Sequence, residues 1–413
     1  MTAPHNIDRE RLYGPLRTEG VFTWDWMYGE EYALADIHLI TGSFREELAL
    51  ATKQLAVIFA KTVPVLQKAD DSLLLELGVP QPALRAVRTA IPQIPATVVG
   101  RFDFAQTAEG LKMLEYNSDT PTGIVEAFCV NEHVCHAFGV NNPNQGMEKR
   151  FAPSFQNILE AYKERGYRTK HIWFSALDWH EEDKETTQYL LEKSGLPARF
   201  AGLEQLRVFE DRLYVLEGED LTPVDVLYRL HALEKLAEER DEDGYPTGEH
   251  VLQLIADKKL AIINPPSAFL LQSKAVQALI WNLHEAGEFF SQEEHDIVAT
   301  YMLPTYFENR FAGVADYVTK PVFGREGGGV VLFDAEGSVV EKDQEEFYWD
   351  QQMIYQKRVE LPVVTVRTSE GQREGRLLWG SFLIGGEASA IIARVGGPIT
   401  NNMSYYLPVG LQE

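Results

Sequence analysis

Residues 30 to 67 place apolar side chains at helical spacing, with Leu48, Leu50, Leu55, Val57, Ile58 and Phe59 among them. That spacing predicts one long amphipathic helix from about Glu30 to Gln67. Residues 70 to 93 keep a helical pattern but carry Pro80, Pro82 and Pro92, which predicts a broken one. Residues 97 to 117 instead alternate apolar and polar positions in two short runs joined by a polar turn, the mark of a β-hairpin. Helical spacing returns from about Gly123 to Phe138. Residues 1 to 20 lack either period and read as a tail or a loosely docked arm.

The middle third has another rhythm. HIWFSAL (171–177) suits a buried strand, and EEDKETTQYLLEKSG (181–195) a helix with a glycine stop. RLYVL, VDVLYRLH and KLAIINPP (259–266) carry further strand signals, so a small parallel α/β domain is expected. ERDEDGYPTGEH (239–250) reads as a solvated loop within it. The last third opens with a helix from about Ser273 to Phe290. It continues as glycine-punctuated strands, which predicts an antiparallel sheet. The expected division is a tail over 1–20, helices and the hairpin over 21–165, the small α/β domain over 166–268, and a sheet region over 269–413.

Composition narrows the class. The chain has 413 residues, 45% hydrophobic, and a formal net charge of −24. That is ample for a core, and a nucleic-acid binder would need a basic surface instead. No apolar run approaches the roughly 20 residues of a membrane span, so no membrane partner is expected. The N-terminal residues have no hydrophobic core of a secretory signal, and Cys129 and Cys135 make no disulfide framework. A cytoplasmic location follows by default.

The hairpin carries the first candidate chemistry. With the turn at Gln106 to Gly110, Asp103 would face Met113, Arg101 would face Glu115, and Val99 would face Asn117. Alternation then gathers Arg101, Asp103, Glu115 and Asn117 on one face, and Phe102, Phe104, Leu114 and Tyr116 on the other. Two carboxylates and an amide oxygen are hard donors suited to Mg²⁺, and the arginine could hold a phosphate or carboxylate. The same residues could equally be a cross-strand ion pair on a solvated face.

A second candidate is KPVFGREGGGVVLF (320–333). Lys320 ends a strand, and Gly324, Gly327, Gly328 and Gly329 make a loop whose N–H groups could cradle phosphate. A strand follows, so neither a Walker A loop nor a dinucleotide-binding turn fits, since both need a helix there. The lysine precedes the loop and no HRD or DFG motif is present, which argues against a protein kinase. A plain glycine-rich hairpin turn is the alternative. Cys129, His133 and His136 share one face of a helix, but no fourth ligand is evident and packing is the better reading. The aromatic stretch FTWDWMY (22–28) reads as an anchor to the core rather than a pocket wall.

These residues together resemble the synthetase domain of glutathionylspermidine synthetase and trypanothione synthetase, with their single-domain bacterial relatives. The resemblance runs from about Trp24 to Pro408. It rests on R-F-D-F (101–104), L-E-Y-N-S-D-T-P-T (114–122), Y-R-L-H-A-L-E-K-L (228–236), N-P-P with S-K-A (264–275), K-P-V-F-G-R-E-G (320–327) and I-G-G-E with a later R (384–394). It implies an α/β, circularly permuted ATP-grasp fold with a small parallel α/β domain, because the metal-ligand segment precedes the lysines and lid. It further implies ATP and Mg²⁺ as cofactors, and a small-molecule carboxylate and an amine as substrates. Asp103, Glu115 and Asn117 look like the metal ligands, and Arg101 and Arg394 like the reaction-centre arginines. Lys274 and Lys320 look like the ATP lysines, Gly327, Gly328 and Gly329 like the lid, and Gln356 and Lys357 like the approach to the adenine site. Thr120 and Thr122 fall where hydroxyl residues line the thiol-peptide site. The chain leaves no room for the amidase domain of the bifunctional members, so no hydrolytic half-activity is expected. The activity implied is an ATP-dependent carboxylate–amine ligase working through an acyl phosphate. An ATP-binding protein without turnover and a phosphotransferase are the alternatives.

Overall fold

The structure, a computed structural model, describes residues 8–91, 93–325, 327–343 and 348–412. It is a mixed α/β fold built around three main sheets. The first is antiparallel. Its order is Tyr405–Leu407, Glu387–Gly396, Gly371–Ile384, Val99–Thr107, Gly110–Asn117, and Val363–Thr368 also pairs with Gly371–Ile384. The hairpin at 99–117 is thus stitched into the C-terminal strands, with Asp103 opposite Gly380.

The second sheet is also antiparallel, in the order Thr305–Tyr306, Met353–Lys357, Tyr317–Pro321, Val331–Phe333, Val339–Lys342. The third is parallel and lies in the middle of the chain: Ala261–Ile263, Val226–Arg229, Ile172–Ala176, Ala198–Gly202. Its apolar runs become strands for the expected reason, burial on both faces. RLYVL departs from that expectation: Arg212–Glu217 belongs to a separate three-stranded antiparallel sheet.

The long helix spans Gly42–Lys68, later than its apolar spacing alone predicts. Thr41 starts it by accepting a hydrogen bond from the Phe44 N–H, a capping signal that counting apolar residues passes over. Residues before it pair as short strands instead. By length and composition this helix is long and apolar enough to cross a membrane, a test that a buried core helix passes as well. Leu48, Leu55, Ile58 and Phe59 on it are fully buried, and Phe59 packs edge-on against Phe102 and Tyr116 of the hairpin. The N-terminal segment is no loose arm within the described residues. Arg9–Thr18 is a helix that buries Leu12, Tyr13 and Leu16, and Arg9 bridges Asp25 and Glu31.

Candidate active site

The hairpin's polar face lines a cleft between the two antiparallel sheets, of about 200 Å³. The hairpin register differs from the expected one: Arg101 faces Asn117, Asp103 faces Glu115, and Phe104 faces Met113. Leu114 is the extra residue of a bulge. The bulge keeps Arg101, Asp103, Glu115 and Asn117 on one face. It turns Leu114 out of the aromatic core and into the cleft wall, beside Leu361 and Leu378.

The four polar residues form one network. Arg101 holds Asp103 with both arms, at 2.6 and 2.9 Å. It also donates to the Thr122 carbonyl at 2.7 Å. The Asn117 amide nitrogen donates to Asp103 at 3.2 Å and to Glu115 at 3.3 Å. Lys274 stands 3.2 Å from Glu115 and donates to the Gly324 carbonyl at 2.6 Å. Lys320 donates to the bulge carbonyl of Leu114 at 3.0 Å and to Gln356 at 2.8 Å.

Burial and charge set the ionisation of these groups. Burial alone would raise the Glu115 carboxyl, but Lys274, Lys320 and Arg101 outweigh it and bring its pKa to about 2. Burial raises the Asp103 carboxyl, and Arg101 only partly offsets it. Burial brings the Lys320 ammonium down to about 8 against the pull of Glu115. In a chain of net charge −24, the cleft is a cationic exception, with Arg325, Arg358, Arg376 and Arg394 among its walls.

The remaining expected residues fall as follows. Thr120, Thr122, Gly327, Gly328, Gln356, Lys357 and Arg394 all line the cleft. Gly329 does not, and its N–H donates to Asp343. The N–H groups of Gly328 and Val330 bond within the loop, so these two do not face the cleft as phosphate donors in this state. Gly327 has φ +77°, and a Cβ there would come within 2.6 Å of the Thr400 carbonyl.

Several contributors carried no clear sequence signal. Gln277 and Thr305 accept from the Gln356 amide and fix its orientation toward Lys320. Tyr32 and Glu182 reach the cleft from segments that read as the start of the long helix and as the 181–195 helix. Met27 does so from the aromatic stretch whose Phe22 and Trp24 are buried. Arg325 lies inside the quoted glycine-loop motif and bonds Thr120 and Glu234 across the cleft. Asn264, of the N-P-P motif, ties Val98 and Val99 to Ser118 and Asp119, and so clamps both ends of the hairpin.

Asp103, Glu115 and Asn117 are hard donors and fit a Mg²⁺ ion once the Asn117 amide is turned so that its oxygen faces the carboxylates. The Cys129, His133 and His136 face is different. His133 bonds the Leu12 carbonyl, and among the described residues no group of three His, Cys, Asp or Glu stands ready for a metal.

Residues 15–412 match the profile described as glutathionylspermidine synthase preATP-grasp. The chain belongs to that family. Relatives of the glutathionylspermidine synthase type include the bifunctional glutathionylspermidine synthetase/amidase of Escherichia coli, 24% identical over 79% of this chain and 52% of that one. The glutathionylspermidine synthase of Crithidia fasciculata is 23% identical over 67% of this chain and 40% of its own. The chain therefore spans about half the length of these two or less. A Haemophilus influenzae protein named as a candidate acid–amine ligase is 28% identical over 75% of this chain and 73% of that one. The solved structure of a glutathione synthetase-like effector from Globodera pallida aligns over the whole of both chains, with TM-score 0.58 and 14% identity, a likeness of fold.

Proposed function

We propose that this chain, an ATP-dependent C–N ligase by family, joins a peptide-like carboxylate to an amine through an acyl phosphate at the cleft between its antiparallel sheets. One observation carries the reading: Asp103, Glu115 and Asn117 share a cleft with Lys274, Lys320 and the glycine loop. Asp103, Glu115 and Asn117 would hold Mg²⁺, which when bound neutralises charge on phosphate oxygens. Lys274 and Lys320 hold the triphosphate as point charges, and Leu114, Leu361 and Leu378 offer the base an apolar wall. The substrate carboxylate takes the γ-phosphoryl group in line, and positioning does most of the work. Arg101 and Arg394 then face the oxyanion that forms when the amine adds to the acyl carbon. Gly327, Gly328 and Gly329, as the lid, exclude water from the acyl phosphate.

In this reading the fold is a circularly permuted ATP-grasp, with the metal hairpin ahead of the lysines and lid. The 166–268 segment is its small α/β domain, and glutathione and a polyamine are the first substrates to try. A cytoplasmic location belongs to the same reading. A second reading, nucleotide binding without turnover, has one observation in its favour: both Asp103 oxygens already bond Arg101. One screen separates the two. ADP release is measured with Mg–ATP and glutathione or other small peptides, against polyamines and amino acids, with product masses from the same reactions. ADP with a condensed mass supports the ligase; ATP binding with no ADP in any pairing supports the second reading.

A further inference from the structure

We propose that Tyr32 receives the amine nucleophile: its phenolic oxygen accepts a hydrogen bond from the attacking nitrogen, and the buried Glu126 positions it to do so. The inference rests on the ligase reading above.

Tyr32 lines the cleft together with Thr122 and Arg394, and Arg394 acts electrostatically on it. Its hydroxyl lies 2.9 Å from Glu126 Oε1. That oxygen also accepts from the Trp24 indole N–H at 3.0 Å, a group that can only donate. Oε1 therefore acts as an acceptor whether the carboxyl is ionised or carries its proton on Oε2. The Tyr32 proton points at Glu126, away from the cleft, and the lone pairs of the phenol are what the cleft meets. Among the described residues nothing donates to that oxygen.

The arrangement is built rather than incidental. Glu126 is fully buried, and its Oε2 has no partner. It opens a π-helical turn, Glu126–Val130, a distortion that often marks functional positions. The Tyr32 backbone is held on both sides, its N–H by Asp25 and its carbonyl by Tyr406. Arg101, Arg394 and Glu182 all act electrostatically on the phenol, so it stands close to the two arginines that the proposed reaction uses.

The phenol is an acceptor and not the base, because burial pushes its ionisation well above the ordinary range. The chemistry balances without a base. The neutral amine forms the new C–N bond, and phosphate leaves with the electron pair of the broken C–O bond. The proton that nitrogen loses passes to the departing phosphate. A primary amine brings two N–H bonds, and the one that stays in the amide is the one Tyr32 can hold throughout. An acceptor placed there fixes the nitrogen so that its lone pair faces the acyl carbon and its second N–H is free to leave.

The test uses Tyr32→Phe, Glu126→Leu and Glu126→Gln in the full chain, with glutathione or whichever small peptide gives a condensed product, and its amine. Two quantities are read: the rapid-quench burst of ADP with the amine withheld, and kcat/KM for the amine. Tyr32→Phe should keep the burst within twofold and lose at least tenfold in kcat/KM for the amine. Glu126→Leu, which removes the acceptor, should keep the burst and lose amine kcat/KM as Tyr32→Phe does, and Glu126→Gln, whose amide oxygen still accepts from Tyr32 and Trp24, should recover most of that loss. A Tyr32→Phe amine kcat/KM within twofold, or a burst that falls as far as the amine step, would overturn the inference and leave the ligase standing. A Glu126→Leu amine kcat/KM within twofold of the parent would overturn the positioning role of Glu126. No ADP from the parent chain with any peptide would overturn the ligase reading, and this inference with it.

Discussion

Glu115 is buried enough to favour the neutral acid, yet three cations hold it ionised at a pKa of about 2. A carboxylate kept charged at that cost is fitted to a cation. Asp103→Ala or Glu115→Ala should lower ADP formation at least about 100-fold, since removing a metal ligand removes charge neutralisation at the phosphates. Circular dichroism should show an intact fold, and near-normal ADP release would exclude both as ligands. Lys320 makes a pH prediction. Without ATP it loses its proton near pH 8, and a bound triphosphate raises that value. Binding above pH 8 therefore takes up a proton, and affinity falls there by up to about tenfold per pH unit. Titration calorimetry in two buffers of different ionisation enthalpy should show uptake approaching one proton at pH 9 and little at pH 7. Equal uptake at both would contradict the assignment. The polar face of the hairpin was legible because alternation alone fixes which residues share a face. The pairing was not, because the Leu114 bulge shifts it and leaves no mark in the period of the pattern. Tyr32 and Gln277 were illegible for another reason: nothing local announces a long-range contact.

At the scale of elements, the glycine loop was visible as composition, but the partners of its N–H groups were not. Gly327 combines a left-handed backbone with close approach to the Thr400 carbonyl. Gly327→Ala should therefore strain the closed loop by about 1–3 kcal/mol. The expected result is a rise in the ATP KM of about tenfold, with an unchanged thermal midpoint, because Gly327 itself adds no side chain to the core. An unchanged KM would mean that the loop does not cover the nucleotide. The long helix was legible as amphipathic, but its start depended on one cap. Its buried face is integral to the site, since Phe59 braces the aromatic side of the metal hairpin. Phe59→Ala should cost about 3–5 kcal/mol in denaturant unfolding, and a loss below about 1 kcal/mol would contradict this bracing.

Across the whole molecule, the motifs that were far apart in sequence meet at one junction. Arg229, from the parallel sheet, holds Asp119, just past the hairpin, with both arms at 3.0 and 2.8 Å, and neither side chain is exposed. Asp119→Ala should cost about 3–5 kcal/mol by leaving a buried arginine unpaired, whereas Asp119→Leu with Arg229→Met should recover most of it. Unfolding by denaturant reads both, and equal losses in the single and double variants would contradict the pairing argument. Such a junction explains why the strand-by-strand reading found the elements and the order of the motifs while missing how they converge.

The central claim is that a carboxylate takes the γ-phosphoryl group of ATP in this cleft. The most direct test supplies the acid labelled with ¹⁸O in its carboxylate and follows the label through one turnover with the amine. The account predicts one labelled oxygen in the inorganic phosphate, with ADP and the amide formed in equal amounts. Unlabelled phosphate, or AMP with pyrophosphate, would contradict it.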